Sequence, residues 1–242
     1  MELIFLVVAF FAVFLGNIAA FGISSILLPV AVNLFQFRTG LVLTSIFHIF
    51  GNFGRIGFFR GEYNRRLLLL FGVPNILFTY IGAYLVGIVQ GFFLRFGLGI
   101  ILVVYSSLGL VNKELRFNPS DLNCVIGGSI YGFFSGFVGS GGPLRGAILT
   151  SFGLTGGVYV ATNGGISLFT DITRISVYLW RGYLLQEYYW YIPVLLLIAL
   201  TGGYFSKVAV KRVSNEFFRK IIHLAVLLAG LDLLLNALMY LV

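Results

Sequence analysis

The chain has 242 residues, of which 59% are hydrophobic and only 10% are charged, and its mean hydropathy is +1.01. Soluble domains carry about 25% charged residues, so a water-soluble fold of this length is excluded. The net charge of +8 would suggest nucleic-acid binding in a soluble protein, but these basic residues stand mostly in short gaps between apolar runs, as membrane-loop anchors do. We therefore expect a multi-pass protein of the lipid bilayer with no nucleic-acid partner.

Two further features narrow the class of protein. The single cysteine, Cys124, excludes a disulfide framework and a cysteine metal site, and is typical of a small buried residue. The first residues, MELIFLVVAFFAVFLG, lack a basic region and a clear cleavage site, so they predict a retained first span and not a signal peptide. Neither a metal nor a cofactor is expected.

Eight apolar segments follow one another, and their continuous apolar character predicts helices and not the alternating strands of a barrel. They cover residues 3–35, 40–59, 67–89, 92–111, 122–152, 158–180, 188–205 and 217–242. A helix needs about 20 residues to cross a bilayer, so the first and fifth segments are too long for one straight span. Both contain glycines near the middle, and each is expected to be a broken or re-entrant helix.

Correspondences at a nearly constant offset indicate that the chain is built from two repeats. A shift of about 120 residues superimposes the central glycines of the first and fifth segments, and places Arg55 close to Arg174. The expected organisation is an N-terminal transmembrane repeat (1–111), a polar linker (112–121) and a C-terminal transmembrane repeat (122–242), which together form one all-α membrane domain. Repeats with broken helices in matching positions are typical of secondary transporters.

Two polar stripes occupy matching places in the two halves, each with four polar residues on one helical face. The first polar stripe, in the second segment, is Thr44, His48, Asn52 and Arg55. The second polar stripe, in the sixth segment, is Asn163, Ser167, Asp171 and Arg174. Ionisable residues inside a span cost about 2.5–3.5 kcal/mol on insertion scales, so these residues are expected to face the interior and to be functional.

Arg55 and Arg174 are the leading candidates for anion binding, because a guanidinium presents a planar fork of donors that suits a carboxylate, a sulfonate or sulfite. The alternative role is structural: Asp171, one turn before Arg174, can form an ion pair with it, and an arginine near a span end can snorkel. His48 is either a proton carrier, if transport is coupled to protons, or a neutral hydrogen-bonding core residue.

The stretch FVGSGGPLRG, residues 137–146, interrupts the fifth segment and is a second candidate site. Its glycines, including Gly141 and Gly142 beside Ser140, let the backbone leave helical geometry and approach a ligand closely. The proline that follows suits the first turn of a helix, so a half-helix should begin there with its free N–H groups inside the protein, where they attract anions. Arg145 adds positive charge to that first turn.

The first half contains a weaker version of this break, FGISSILLP, over residues 21–29. Ser24 and Ser25 stand there in place of the glycine run, so this backbone is expected to approach a ligand less closely. The alternative interpretation of both breaks is a close crossing of glycine-rich helices.

These motifs resemble the sulfite exporter TauE/SafE family of membrane permeases. The openings of the two halves, GNIAAFGISSILLPV and GFVGSGGPLRGAILT, are similar to the family's glycine-rich segments that precede an apolar stretch with a proline. Small polar pairs in VLTSIF and VATNGG and RG-type turns in FFRGEY and LWRGYL extend the resemblance to nearly the whole chain. It implies two related halves that transport small anions, often sulfur-bearing, such as sulfite and sulfoacetate. The first-half serines and Arg145 depart from the family pattern.

The leading hypothesis is a non-enzymatic secondary transporter of a small anion in a prokaryotic plasma membrane. The anion site is expected to lie between the repeats and to open to each side of the membrane in turn. A proton or a cation is the candidate coupling ion. One alternative is an anion channel or a non-transporting membrane subunit. Another is an intramembrane serine hydrolase, with Ser140 as nucleophile and His48 or His223 as base. No oligomeric state is predicted.

Overall fold

The computed structural model describes residues 2–18, 23–58, 63–111, 118–154, 156–209 and 215–239. Within these ranges the structure is all helical and contains no strand, which confirms the predicted all-α class. The described helices, in chain order, are α1 (Glu2–Ile18), α2 (Ile23–Leu34), α3 (Phe37–Phe58), α4 (Arg65–Leu70), α5 (Gly72–Leu85), α6 (Gly91–Leu110), α7 (Asp121–Phe137), α8 (Gly142–Ser151), α9 (Gly156–Trp180), α10 (Tyr191–Ala209) and α11 (Asn215–Met239). A short 3₁₀ turn, Gln186–Tyr188, precedes α10.

The two over-long apolar segments are each divided into two helices. Helices α1 and α2 flank residues 19–22, which lie outside the described residues. Helix α7 ends at Phe137 and α8 begins at Gly142, with a proline in its first turn. Between them Gly139 has a φ of 76°, in the left-handed region that favours glycine, so the chain turns sharply there. We call residues 138–141 the α7–α8 break.

Helix α7 has a defined start because its flanking residues suit a helix N-terminus. The Ser120 side chain accepts a hydrogen bond from the Asn123 backbone N–H at 3.2 Å, and Asp121 places an acidic group in the first turn. Both features satisfy or neutralise the exposed N–H groups of that turn. The helix therefore begins at the predicted end of the polar linker.

Four stretches of the described chain are long and apolar enough to cross a membrane by length and composition. They are Arg65–Leu85, Gly91–Leu110, Gln186–Ser206 and Ile222–Met239. Large apolar side chains on their surfaces are strongly exposed, as at Leu69, Leu77, Leu197 and Leu235, each at least 57% exposed. Such surfaces require a lipid environment, so the chain is a multi-pass membrane protein.

Helices α3 and α9, which carry the two polar stripes, lie at the centre and pack against each other. Helix α3 also contacts α2 and α10, and α9 also contacts α5. Thr44 and Asn52 on α3 and Ser167 and Asp171 on α9 are at most 2% exposed. The polar stripes therefore face each other inside the protein, away from the lipid-facing surface.

The outer helices pair across the two halves of the chain. Helix α5 packs against α7, α1 packs against α10, and α6 packs against α11. A two-fold relation between repeats would produce this pairing, since α1 would correspond to α7 and α5 to α10. The division into repeats stays a prediction, and residues 112–117 of the expected linker lie outside the described residues.

Helices α5 and α7 approach each other backbone to backbone. A Cβ added at Gly132 or Gly136 of α7 would collide with backbone atoms of α5, and one added at Gly128 would collide with the backbone of Phe71, the residue before α5. The Thr79 hydroxyl of α5 donates to the Gly132 carbonyl at 3.2 Å, which is possible only at this short separation. Small residues promote such packing in lipid, where burial of apolar surface contributes little to helix association. The α5–α7 pair is therefore a close-packed support for the α7–α8 break.

We predict that Gly132→Ala destabilises the protein by about 1–3 kcal/mol, the usual cost of overpacking. The new methyl group would meet the Asn75 backbone of α5, which cannot move as a flexible side chain does. The measurement is the thermal unfolding midpoint of the detergent-solubilised protein. Gly91→Ala is the matched control, because an added Cβ at the start of α6 meets nothing within 4 Å. Equal midpoints for the two variants would contradict the close α5–α7 contact.

Candidate functional site

A small cavity lies where the α7–α8 break and the polar stripes meet. Its empty volume is about 300 Å³, including the part that opens outward. Helices α2, α3, α7, α8 and α9 and the α7–α8 break all contribute to its wall. The lining residues are Ser24, Ser25, His48, Tyr131, Ser135, Gly139, Ser140, Gly141, Gly142, Arg145, Asp171 and Arg174.

Two helices direct their N-terminal ends at this cavity. Helix α2 begins at Ile23, so the lining residues Ser24 and Ser25 lie in its first turn. Helix α8 begins at Gly142, next to Gly141, and has no side-chain cap. The first N–H groups of a helix have no partner within the helix and carry the positive end of its dipole. The cavity wall is therefore electropositive even without its charged side chains.

Arg145, in the first turn of α8, adds a full positive charge to the wall and is only 6% exposed. Its Nε donates to the Asn163 side-chain oxygen at 2.6 Å, and its Nη1 donates to the Tyr131 hydroxyl. The guanidinium also lies over the Tyr131 ring, 5.0 Å from the centroid. Both partners are neutral, and no acidic side chain among the described residues forms a salt bridge with Arg145. Its Nη2 has no hydrogen-bond partner among the described residues, so the guanidinium keeps an uncompensated charge and a hydrogen-bond donor for a ligand.

Asp171, by contrast, is fully engaged by the protein. His48 Nδ1 donates to its Oδ2 at 2.8 Å, and Arg174 Nη2 lies 2.7 Å from its Oδ1. The Asn52 amide donates to the same Oδ2 at 2.9 Å and to the Ser167 hydroxyl, also at 2.9 Å. Since the carboxylate accepts hydrogen bonds from both stripes, it holds α3 against α9.

Arg174 links the second polar stripe to the α7–α8 break. Its Nη1 donates to the Gly139 carbonyl at 3.0 Å and lies 3.4 Å from the Ser135 carbonyl. Its Nε is buried and has no partner in the described part of the chain. The ion pair with Asp171, the structural alternative raised by the sequence, is thus present. Arg174 is neutralised and Arg145 is not.

The charges around the cavity do not cancel. Two guanidinium groups, Arg145 and Arg174, face one carboxylate, Asp171, so the lining has a net charge of +1 when His48 is neutral. A buried charge without a counter-ion is costly, and a bound anion would remove that cost. Because the lining donors are hydroxyl, guanidinium and backbone N–H groups, the arrangement suits oxygen atoms of a small anion.

Among the described side chains, three predicted site residues do not line the cavity: Asn52, Asn163 and Thr44. Asn52 and Asn163 stand behind it and orient Asp171 and Arg145 through the hydrogen bonds given above. Thr44 is buried on α3, and its hydroxyl has no partner among the described residues. Arg55 belongs to α3, but its side chain lies outside the described residues.

Sequence reasoning did not find two residues of the lining, Tyr131 and Ser135. They are four residues apart on α7, so they share a helical face that turns toward the cavity. That spacing was an available signal, but glycines dominate the surrounding sequence and indicate helix packing. Tyr131 is only 3% exposed and contacts Arg145, so it lies inside the protein and not at the lipid-facing surface.

The serine and the two histidines considered for a serine hydrolase lie in different surroundings. Ser140 is buried in the cavity wall, but no described hydrogen bond joins it to His48, whose Nδ1 faces Asp171. His223 lies on α11 against the Tyr105 ring and does not line the cavity.

Comparison with known proteins adds a family assignment to this geometry. The family described as sulfite exporter TauE/SafE matches residues 5–233, a range that includes both helix breaks, both polar stripes and every residue of the cavity lining. No curated protein and no solved structure matches the chain significantly. The family match confirms the resemblance found in the sequence motifs. The chain belongs to the sulfite exporter TauE/SafE family of membrane permeases.

Proposed function

We propose that this protein is a secondary transporter that carries a small sulfur oxyanion, such as sulfite or a sulfonate, through the cavity between α2, α3, α8 and α9. Family membership supports a permease that exports sulfur-containing anions. The observation that carries the anion site is Arg145, a guanidinium buried in the cavity with only neutral partners. We propose that the transporter lies in the plasma membrane of a prokaryote.

The anion lies between the first turns of α2 and α8. Its oxygens accept hydrogen bonds from Arg145 Nη2 and from the backbone N–H of Gly142, the first residue of α8. Hydroxyl groups of Ser24, Ser25 and Ser140 supply further donors from the cavity wall. A tetrahedral or pyramidal oxyanion suits this arrangement because it can accept from several directions at once.

Other residues position these groups. Tyr131 and Asn163 hold the guanidinium plane of Arg145, so its unused Nη2 can be directed to the cavity. Arg174 holds the end of α7 and the α7–α8 break through the carbonyls of Ser135 and Gly139. Thr44 and Arg55 belong to the first polar stripe together with His48, and we keep them as candidate contacts of the anion.

Alternating access is supported by the position of the cavity between the two chain halves. Its wall combines α2 and α3 from the first half with α7, α8 and α9 from the second. Rocking of one half against the other would open it to each side in turn. The driving gradient is proposed to be that of a proton or another cation.

The decisive test is flux of radiolabelled sulfite in proteoliposomes. We predict saturable uptake by the wild type, and a 10- to 100-fold loss of affinity, about 1.5–3 kcal/mol, in Arg145→Gln, which removes a charged hydrogen-bond donor. Arg66→Gln is the matched control, because Arg66 forms an exposed ion pair with Asp121, away from the cavity. This variant should transport sulfite as the wild type does. Wild-type flux in Arg145→Gln would place the site elsewhere, and unitary currents in a planar bilayer would indicate a channel.

The charge of Arg174 is expected to stabilise the fold, whereas the charge of Arg145 is expected to bind the anion. Arg174→Gln should lower the free energy of unfolding by about 3–5 kcal/mol, because it leaves the buried Asp171 carboxylate without its cationic partner. Adding Asp171→Asn should restore much of that loss. The measurement is chemical or thermal unfolding in detergent. A double variant less stable than Arg174→Gln would contradict the assignment of this pair as a structural unit.

A further inference from the structure

We infer that the anion and a proton bind to the cavity together, and that His48 accepts the proton at Nε2. This inference rests on the proposed anion site and names the coupling ion and its binding atom. His48 lines the cavity from α3 and is 7% exposed. Its Nδ1 faces Asp171 at 2.8 Å, while its Nε2 makes no hydrogen bond in the described part of the chain.

The contact with Asp171 determines which nitrogen can take up the proton. A carboxylate is only an acceptor, so Nδ1 must carry a hydrogen and donate it to Asp171. Asn52 lies 3.3 Å from Nδ1, but its amide hydrogens go to Asp171 and Ser167, so it does not compete. The neutral imidazole is therefore held as the Nδ1–H tautomer, with a lone pair on Nε2 as the only basic position.

Several charged and titratable groups face this imidazole. Helix α9 supplies Asp171 and Arg174, α8 supplies Arg145, and α7 supplies the Tyr131 hydroxyl. Helix α2 adds the positive end of its dipole and carries no titratable side chain. Among the described side chains of α6 and α10, no titratable group belongs to the cavity lining.

In the empty cavity these groups oppose a further positive charge. Arg145 and the two helix N-termini repel a protonated ring, and the attraction of Asp171 is shared with Arg174. A bound anion adds negative charge inside the same cavity and offsets that repulsion. It can also accept a hydrogen bond from Nε2–H, which exists only after protonation.

The consequence is thermodynamic linkage between the two ligands. If anion binding places one proton on Nε2, the proton comes from solvent, and affinity for the anion rises as pH falls, by up to about tenfold per pH unit. Anion and proton then cross the membrane in the same direction. Net flux follows the sum of their two gradients.

The experiment counts protons during binding. Sulfoacetate, which does not titrate near neutral pH, is added to the detergent-solubilised protein at pH 7, and the heat of binding is measured by calorimetry. The titration is run in imidazole and in Tris, two non-sulfonate buffers with different ionisation enthalpies. The difference between the two heats gives the number of protons taken up. We expect uptake of up to one proton per bound anion, and a dissociation constant that falls with pH. Heats that do not depend on the buffer would overturn the inference while leaving the anion site intact, whereas absence of binding for sulfoacetate, sulfite and sulfate would refute the proposed function itself.

The chain offers a matched control because it contains only two histidines. His223→Gln leaves His48 as the sole imidazole and should retain the full proton uptake, since His223 lies outside the cavity. His48→Gln should abolish it and make any remaining affinity independent of pH. Proton uptake that persists in His48→Gln, or that disappears in His223→Gln, would overturn the assignment.

If His48→Gln does not fold, the wild type still decides the question. Histidine labelled with ¹⁵N reports imidazole protonation directly, and the two signals can be assigned with His223→Gln. We expect sulfoacetate to convert the His48 signal from the neutral Nδ1–H form to the doubly protonated form. A neutral His48 in the saturated complex would refute the inference.

Discussion

The buried carboxylate of Asp171 is the constraint on which the rest of the interior depends. A charge that is 1% exposed must be compensated, and three side chains do this. His48 and Asn52 reach the carboxylate from α3, and Arg174 stands one turn from Asp171 on α9. Because Arg174 also donates to the Gly139 carbonyl of the α7–α8 break, one carboxylate connects the contact between the chain halves to the cavity wall.

The backbone breaks complete the site by a different physical effect. In lipid, non-helical backbone is tolerated only where it is buried in protein or lines a cavity, and here it lines one. The close α5–α7 contact supports the break from behind, while α2 and α8 direct the positive ends of their helix dipoles at the cavity. The compensated pair Asp171–Arg174 therefore stabilises the interior, and the uncompensated Arg145 makes the cavity attractive to an anion. The two arginines differ in role although both are buried.

Several features could be predicted from local sequence because their physical causes are local. Continuous apolar runs and missing charge required membrane helices, and Gly142 with the following proline required a helix start, which the structure places at Gly142. The helical spacing of the polar stripes placed His48 and Asn52 on one face of α3. Their hydrogen bonds to Asp171 could not be read in this way, since they join residues more than 110 positions apart and depend on how α3 packs against α9.

The sequence by itself determined the membrane class, the family, the helix breaks and the polar positions, since each follows from composition, short motifs or helical periodicity. Only the tertiary structure decided which charges compensate one another. It brought His48 to Asp171, left Arg145 with the neutral partners Asn163 and Tyr131, and placed Tyr131 and Ser135 in the cavity lining. The pair of Asp171 with Arg174 was open to sequence reasoning because the two residues stand one turn apart on α9. The other contacts join different helices, and no spacing along one helix contains the distance between helices.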